Sequence, residues 1–367
     1  MKRVKVGIIG CGAISPAYLS NLITHFAPMV DVAAVSDLDL DAAHSRAVEY
    51  RVPKACSTAE LLADPEIEMV VNLTFAHDHH AVTMAALRAG KHVFTEKPLA
   101  VERAEGQEIL DTANRNGLLV AGAADTFLGG GLQTCRELLD AGAIGTPLMA
   151  CGFIALNYGN AARWQRRGTG PIFDMGPYYL TALVALQGPV KRVTGGTSIP
   201  IPQKSHPVGS PDYGQTFTVE TPMEAAGILE FASGMLGVFA ASGEAAEGYV
   251  PRLEFYGTTG TLQANDPNMY AGEVKIRGGQ GREVLLERGF IEKGRGLGVA
   301  ELAWAVRSGR QPRAGGQLMV HVLDIMHAIH EAAETGRRGT LQSTVERPAL
   351  FDWNEIQEAF SEKRREG

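Results

Sequence analysis

The stretch VKVGIIGCGAIS occupies residues 4–15. Its apolar first half reads as a buried strand. The glycines that follow impose a tight turn, and apolar side chains at helical spacing over 12–26 read as a helix. A strand that turns on glycine into a helix returns by a right-handed crossover to a parallel neighbour. The alternation continues downstream. Short apolar runs at 32–35, 69–73, 93–95 and 118–121 are interleaved with helical patterns, notably 78–89 and 102–115. Gly90 closes the first of these as its C′ residue. The first third therefore reads as α/β, a parallel sheet with helices on both faces.

Beyond about residue 125 the texture changes. One helix is expected at 132–141 and another after Asp174. The span 190–277 is strand-like and broken by turn residues, with Ser233-Gly234 and Thr259-Gly260 as hairpin turns. Successive hairpins make a large, mostly antiparallel sheet. KSHPVGSPDYG reads as an exposed loop, and helices return at 298–309 and 317–335. The expected division is 1–124 for the α/β domain and 125–367 for an α+β domain.

Composition narrows the partners. The 367 residues are 45% hydrophobic and 20% charged, with a formal net charge of -7. That balance disfavours nucleic acid and anionic membrane, which need a basic surface. No apolar run approaches the roughly 20 residues of a membrane span. The N-terminal residues read as a first strand rather than a signal peptide. Cys11, Cys56, Cys135 and Cys151 lie far apart, as expected of free thiols in a reducing cytoplasm.

Gly10-Cys11-Gly12-Ala13-Ile14-Ser15 is a dinucleotide fingerprint with serine in place of its third glycine. Gly10 permits the turn. Gly12 lets a pyrophosphate approach the backbone at Ala13 and Ile14, where a helix N-terminus favours anions. Asp37 ends the second strand, where an acid accepts bonds from ribose hydroxyls and repels a 2′-phosphate. Leu38 adds no cation, so NAD is expected over NADP. The competing reading of Asp37 is a solvated acid starting a helix, beside Asp39 and Asp41.

GCGAIS, TFAHDHHAVTMAALRAGKHVFTEKPLA and GTGPIFDMGPYY resemble the family of glucose–fructose oxidoreductase and inositol dehydrogenase, over nearly the whole chain. The resemblance implies an N-terminal Rossmann domain and a C-terminal α+β domain with a large open sheet. That sheet would join subunits into a homodimer or homotetramer. It also implies a small carbohydrate-like substrate: a sugar, a polyol or a derivative. Thr74 falls at the start of the family's TPN motif, whose other two residues differ here. His79 matches a frequent family histidine. The trio His77, His79 and His80 lacks acidic or cysteine partners at ligand spacing, and no metal is expected.

The fourth strand ends on Glu96-Lys97-Pro98. Ligands of open parallel sheets bind beyond the carboxyl ends of the strands, so both side chains are placed for the cofactor. With the resemblance, Lys97 becomes a catalytic residue that bonds a substrate hydroxyl and stabilises alkoxide charge. Read locally, the same pair is a surface ion pair. Asp174 and Tyr178 stand four apart, which puts them on one face of a single helix. In much of the family Tyr178 is histidine. A neighbouring Lys97 would favour its phenolate and make it a proton acceptor, with Asp174 orienting substrate or lysine. The bland readings are a core tyrosine and a helix-start acid. Upstream, Arg163, Trp164, Arg166 and Arg167 suit an acidic substrate and a sugar face, or plain solvated surface.

The chain is thus expected to be an NAD(P)-dependent oxidoreductase acting on a sugar, polyol or sugar-acid CH–OH group. Two competitors share the fold: an enzyme that retains NAD and cleaves a glycosidic bond, and a non-catalytic sensor like a yeast galactose-pathway repressor.

Overall fold

The computed structural model describes residues 1–165, 169–246, 248, 252–278, 283–286 and 294–361, without the side chains of Arg163, Trp164 and 283–286. In chain order it runs β1 (Val4–Ile9), α1 (Ser15–Ile23), β2 (Val30–Ser36), α2 (Leu40–Tyr50), β3 (Lys54–Ala55), α3 (Thr58–Ala63), β4 (Met69–Asn72), α4 (His79–Arg88), β5 (His92–Thr95), α5 (Arg103–Arg115) and β6 (Val120–Gly122). It continues α6 (Gly130–Asp140), β7 (Pro147–Ala155), α7 (Ala162–Gln165), α8 (Gly170–Asp174), α9 (Gly176–Gln187), β8 (Val190–Ser198), β9 (Gln203–Ser205), β10 (Thr216–Thr218), β11 (Glu224–Phe231) and β12 (Leu236–Ser242). Last come β13 (Leu253–Gly257), β14 (Gly260–Gln263), β15 (Val274–Gly278), β16 (Glu283–Leu286), α10 (Leu297–Ser308), α11 (Gly316–Thr335), β17 (Gly339–Thr340) and α12 (Trp353–Ser361).

These elements form two compact units. The first is Met1–Gly129 with Gly289–Val320 and Pro348–Gly367; the second is Gly130–Arg288 with His321–Arg347. A single cut at 124/125 does not describe the returning segments, because their ties to the first unit are long-range. The Gly298 amide donates to Asp125 Oδ2 at 2.7 Å, and the Gly122 amide donates to Ala314 O at 3.0 Å. Trp353 sets its ring edge-on against Phe26 at 5.6 Å. Hydrophobic periodicity registers local structure and carries no trace of such returns.

In the first unit the described strands pair in the order β3-β2-β1-β4-β5-β6, all parallel. Every residue of β4 is buried, and so are all but the first of β5. Strands covered on both faces need continuous apolar runs, as VKVGII and MVVN supply. The expected C′ glycine holds: α4 ends at Arg88 and Gly90 follows with φ +76°.

In the second unit the described strands pair β16-β15-β14-β13-β7-β12-β11-β8-β17. The pairing is antiparallel except between β7 and β12, which run parallel. The hairpin at Ser233-Gly234 forms, with Gly234 at φ +90°. At the other expected turn, Gly260 already belongs to β14 and the turn falls on the two residues before it. Strand β7, in the middle of this sheet, escaped the sequence reading. Its inward residues include Ala150 and Gly152 and its outward ones Met149 and Cys151, so burial alternates while hydrophobicity does not. Helix α9 is buried all along 176–186, in keeping with a sequence that is apolar on every side apart from Thr181.

Candidate active site

The fingerprint turn sits at the carboxyl end of β1. Gly10 has φ +105°, and a Cβ there would lie 2.6 Å from the Leu73 carbonyl carbon. Only glycine lets the turn pack against the exit of β4 while its amide donates to Ser36 O at 2.8 Å. Gly12 is the opposite case: a Cβ there would meet nothing within 4 Å. Gly12 and Ala13 are exposed. Ile14 is the N-cap residue of α1, and no side chain caps that end. Ser15 is fully buried and its hydroxyl donates to Gly12 O at 2.8 Å, so serine braces the turn besides being small. An open glycine turn at a helix N-terminus fits a pyrophosphate.

Asp37 lies beside this turn. Its Oδ2 accepts from the Cys11 amide at 2.7 Å and its Oδ1 from the Asp39 amide at 3.0 Å. The N-cap of α2 is Asp39, whose carboxylate takes the amides of Asp41 and Ala42. Asp37 is therefore not that helix's cap. A carboxylate has about four acceptor positions, so two such bonds leave capacity for ribose hydroxyls. Leu38 is fully exposed. One neighbouring cation was missed in the sequence: Arg46, whose Nε donates to Cys11 O at 3.4 Å and whose guanidinium also pairs with Glu49 at 2.6 Å. The helical offset from residue 37 to residue 46 gave no signal of this return. Burial, then the Asp37 charge, pushes the Cys11 thiol up to about 11, which leaves it an inert packing group.

At the exit of β4, buried Asn72 organises the backbone. Its Oδ1 accepts from Thr74 N at 3.2 Å and Thr74 Oγ1 at 2.7 Å, while its Nδ2 donates to His79 O at 3.1 Å and Thr83 Oγ1 at 3.2 Å. Asn72 was not singled out in the sequence, where it reads as the tail of a strand. His79 is 1% exposed. Its ring nitrogens lie 2.6 Å from Pro98 O and 3.0 Å from Thr74 O. Burial lowers its pKa, opposed by those two carbonyls. The ring thus bridges the ends of β4 and β5 from inside the fold. His80 sits near Glu108 and Glu105 at 2.9 and 3.7 Å. Among the described residues, no group of His, Cys, Asp and Glu is arranged to hold a metal ion.

Glu96 is 7% exposed, so it is no surface ion-pair acid. Its Oε1 accepts from Tyr18 Oη at 2.7 Å and its Oε2 from the Lys97 amide at 3.1 Å. Its own amide donates to Asn72 O at 2.9 Å. Glu96 therefore fixes the turn that carries Lys97. Lys97 is half-buried, and its peptide to Pro98 is cis.

Asp174 and Tyr178 belong to the second unit. They do not share one helix: Asp174 ends α8 and Tyr178 lies in the first turn of α9, with the break at Met175. Gly170, at φ +47°, starts α8 where a Cβ would lie 2.7 Å from Pro222 O, so the chain reorients there. Asp174 is half-buried, and its Oδ2 accepts from Tyr158 Oη at 2.6 Å. Tyr178 is 3% exposed. Arg163 and Trp164 lie on α7, with only their backbone described, while Arg166 and Arg167 fall outside the described residues.

Residues 4–123 match the model described as "Oxidoreductase family, NAD-binding Rossmann fold", and residues 132–263 match the GFO/IDH/MocA C-terminal domain. The chain is 34% identical over 149 residues to inositol 2-dehydrogenase 3 of Saccharopolyspora erythraea, covering 40% of this chain and 44% of that one. To the myo-inositol 2-dehydrogenase of Thermotoga maritima it is 25% identical over 360 residues, covering 93% and 100%. Levoglucosan dehydrogenase, solved with NADH and L-sorbose, superposes with a TM-score of 0.80 at 20% identity over 94% of this chain and all of that one; at that identity the likeness speaks for the fold.

Three substitutions separate the roles around the turn. Gly10→Ala is expected to cost on the order of 2 kcal/mol or more in urea unfolding, from positive φ and backbone overlap. Gly12→Ala is expected to unfold like the native chain yet bind NAD at least tenfold more weakly by calorimetry. Asp37→Ser is expected to narrow the preference for NAD over NADP. Native-like NAD affinity in Gly12→Ala, or equal native affinities for NAD and NADP, would remove the turn or the acid from the cofactor site.

Proposed function

The chain belongs to the GFO/IDH/MocA oxidoreductase family, with its NAD-binding Rossmann fold, and from that premise we propose that it transfers hydride between nicotinamide and the CH–OH carbon of a sugar, polyol or sugar acid. The observation that carries the reading is the end of β5. There a buried glutamate, held by Tyr18 and the Lys97 amide, fixes a half-buried lysine at the carboxyl edge of the parallel sheet. That edge is where open α/β sheets take their ligands.

The fit to NAD rests on the open Gly12 turn and on Asp37. When bound, the nicotinamide supplies the hydride acceptor or donor. The protein's share is positioning and proton handling. Lys97 bonds the reacting oxygen and stabilises its developing negative charge. Tyr178 or Lys97 takes the hydroxyl proton, and Asp174 orients the substrate or the lysine. Arg163, Trp164 and Arg166 are kept as substrate contacts for an acidic or sugar-like group. The inositol dehydrogenases among the relatives support the polyol class.

Lys97→Met keeps most of the side chain and removes the charge. It is expected to leave NAD affinity near native and to lower kcat by a factor of about 10² to 10⁴, the span for a positioned proton-transfer group. The substrate comes from a panel of sugars, inositols and sugar acids, read at the NADH absorbance band. Native turnover in Lys97→Met would leave the glutamate-lysine turn a structural strand terminus. Release of free sugar without net NADH would favour the glycosidic alternative.

The larger sheet is also proposed to join copies of the chain, as a homodimer or homotetramer in the cytoplasm. Met149, Ile228, Leu236 and Val238 project from one face, by the registers Met149↔Leu236 and Ile228↔Val238. All four are about 40–50% exposed, an apolar patch suited to an identical partner. Val238→Glu is expected to shift sedimentation velocity toward the monomer; a native chain that already sediments as a monomer would discard this interface.

A further inference from the structure

Asp174 was read from the sequence, but the residue that holds it was not. Tyr158 lies beyond the end of β7, and its Oη donates to Asp174 Oδ2 at 2.6 Å. We propose that Tyr158 is a positioning residue: its hydroxyl fixes the orientation of the Asp174 carboxylate for the reaction. The proposal rests on the assignment of Asp174 to the chemistry and names a residue through which that assignment works.

Both ends of Tyr158 are built in. Its amide donates to Gly243 O at 2.9 Å. The preceding Leu156 amide donates to Ser242 O at 3.0 Å, and Asn157 forms a β-bridge with Glu244. On the other side, Gly159 O accepts from Lys204 Nζ and Gln165 Nε2, each at 2.8 Å. Lys204 is in turn paired with Glu244 at 2.7 Å with both side chains largely buried. The loop bearing Tyr158 is thus bolted to three separate stretches of chain.

The ring is held as tightly. It packs against a small core of Phe217, Val219 and Met223. Gly243 provides the space: a Cβ there would stand 2.5 Å from Met223 Cε and 2.9 Å from Tyr158 Cδ2. A ring confined this way presents its hydroxyl in one direction without losing further rotamer freedom on binding. Burial and then the Asp174 charge push the phenol pKa far above its ordinary value. Tyr158 therefore remains a donor throughout the neutral range and is unsuited to act as the base. A donor of fixed direction on a half-buried carboxylate is how a supporting residue preorganises a functional one.

A purely architectural tie between the β7 loop and α8 would have the same geometry but behave differently in kinetics. Tyr158→Phe keeps the ring and deletes the hydroxyl. It is expected to lower kcat/KM by roughly tenfold to a hundredfold, the worth of a hydrogen bond to a charged group. NAD affinity is expected to stay near native, and the melting temperature to fall by no more than a few degrees. In the Asp174→Asn background the same substitution is expected to add little, because its effect passes through that carboxylate. Gly243→Ala, which displaces the ring edge, is expected to lower kcat/KM in the same direction. Native kcat/KM in Tyr158→Phe alongside a crippled Asp174→Asn would overturn the proposal alone, and so would losses that simply multiply in the double variant. Native turnover in Asp174→Asn would instead overturn the assignment beneath it.

Discussion

The parallel sheet of the first unit sends the carboxyl ends of β1, β2, β4 and β5 to one edge, and the placement of that unit's candidate site residues follows from this. Gly10 leaves β1, Asp37 leaves β2, Thr74 leaves β4 and Lys97 leaves β5. Each exit is tied to a neighbouring one. The Gly10 amide reaches Ser36 at the end of β2, and the Cys11 amide reaches Asp37 just beyond it. The Glu96 amide bonds Asn72, and His79 spans Thr74 and Pro98. Four chain reversals are thereby held in one network before any ligand arrives. Such preorganisation is what a site for a large, charged cofactor requires.

Buried polar side chains do this work under a strict condition. Asn72, His79 and Glu96 are each under 10% exposed, and each meets partners at hydrogen-bond distance. A buried polar group left unpaired would cost about 1–3 kcal/mol, so the network holds together only when complete. Glu96 shows how closely structure and chemistry are joined here. It is an acid in the core, bonded by Tyr18 from α1 and by the backbone of the lysine it precedes.

The parallel sheet was legible because strands buried on both faces spell continuous apolar runs and glycine turns have a backbone reason. Gly10, Gly12, Asp37 and Lys97 were legible because each lies next to a strand end. The remainder depends on distances along the chain that periodicity does not measure. Strand β7 hides behind small inward residues, Ala150 and Gly152. Arg46 reaches the fingerprint turn only through the packing of α2. The break at Met175, which separates Asp174 from Tyr178, has no sequence signal beyond Gly176-Pro177, and Tyr158 meets Asp174 across a turn of chain that no spacing rule foresees. His79 was found by resemblance, yet its place inside the fold came from geometry alone.

The proposed hydride transfer runs from a substrate CH–OH carbon to the nicotinamide. It is tested most directly by incubating the NAD-loaded protein with sugars, inositols and sugar acids deuterated at their carbinol carbons, then weighing the recovered cofactor by mass spectrometry. Reduced nicotinamide carrying substrate deuterium is expected, for at least one substrate of this class and not in Lys97→Met. Cofactor recovered oxidised and unlabelled across the whole panel, from protein that binds NAD fully, would contradict it.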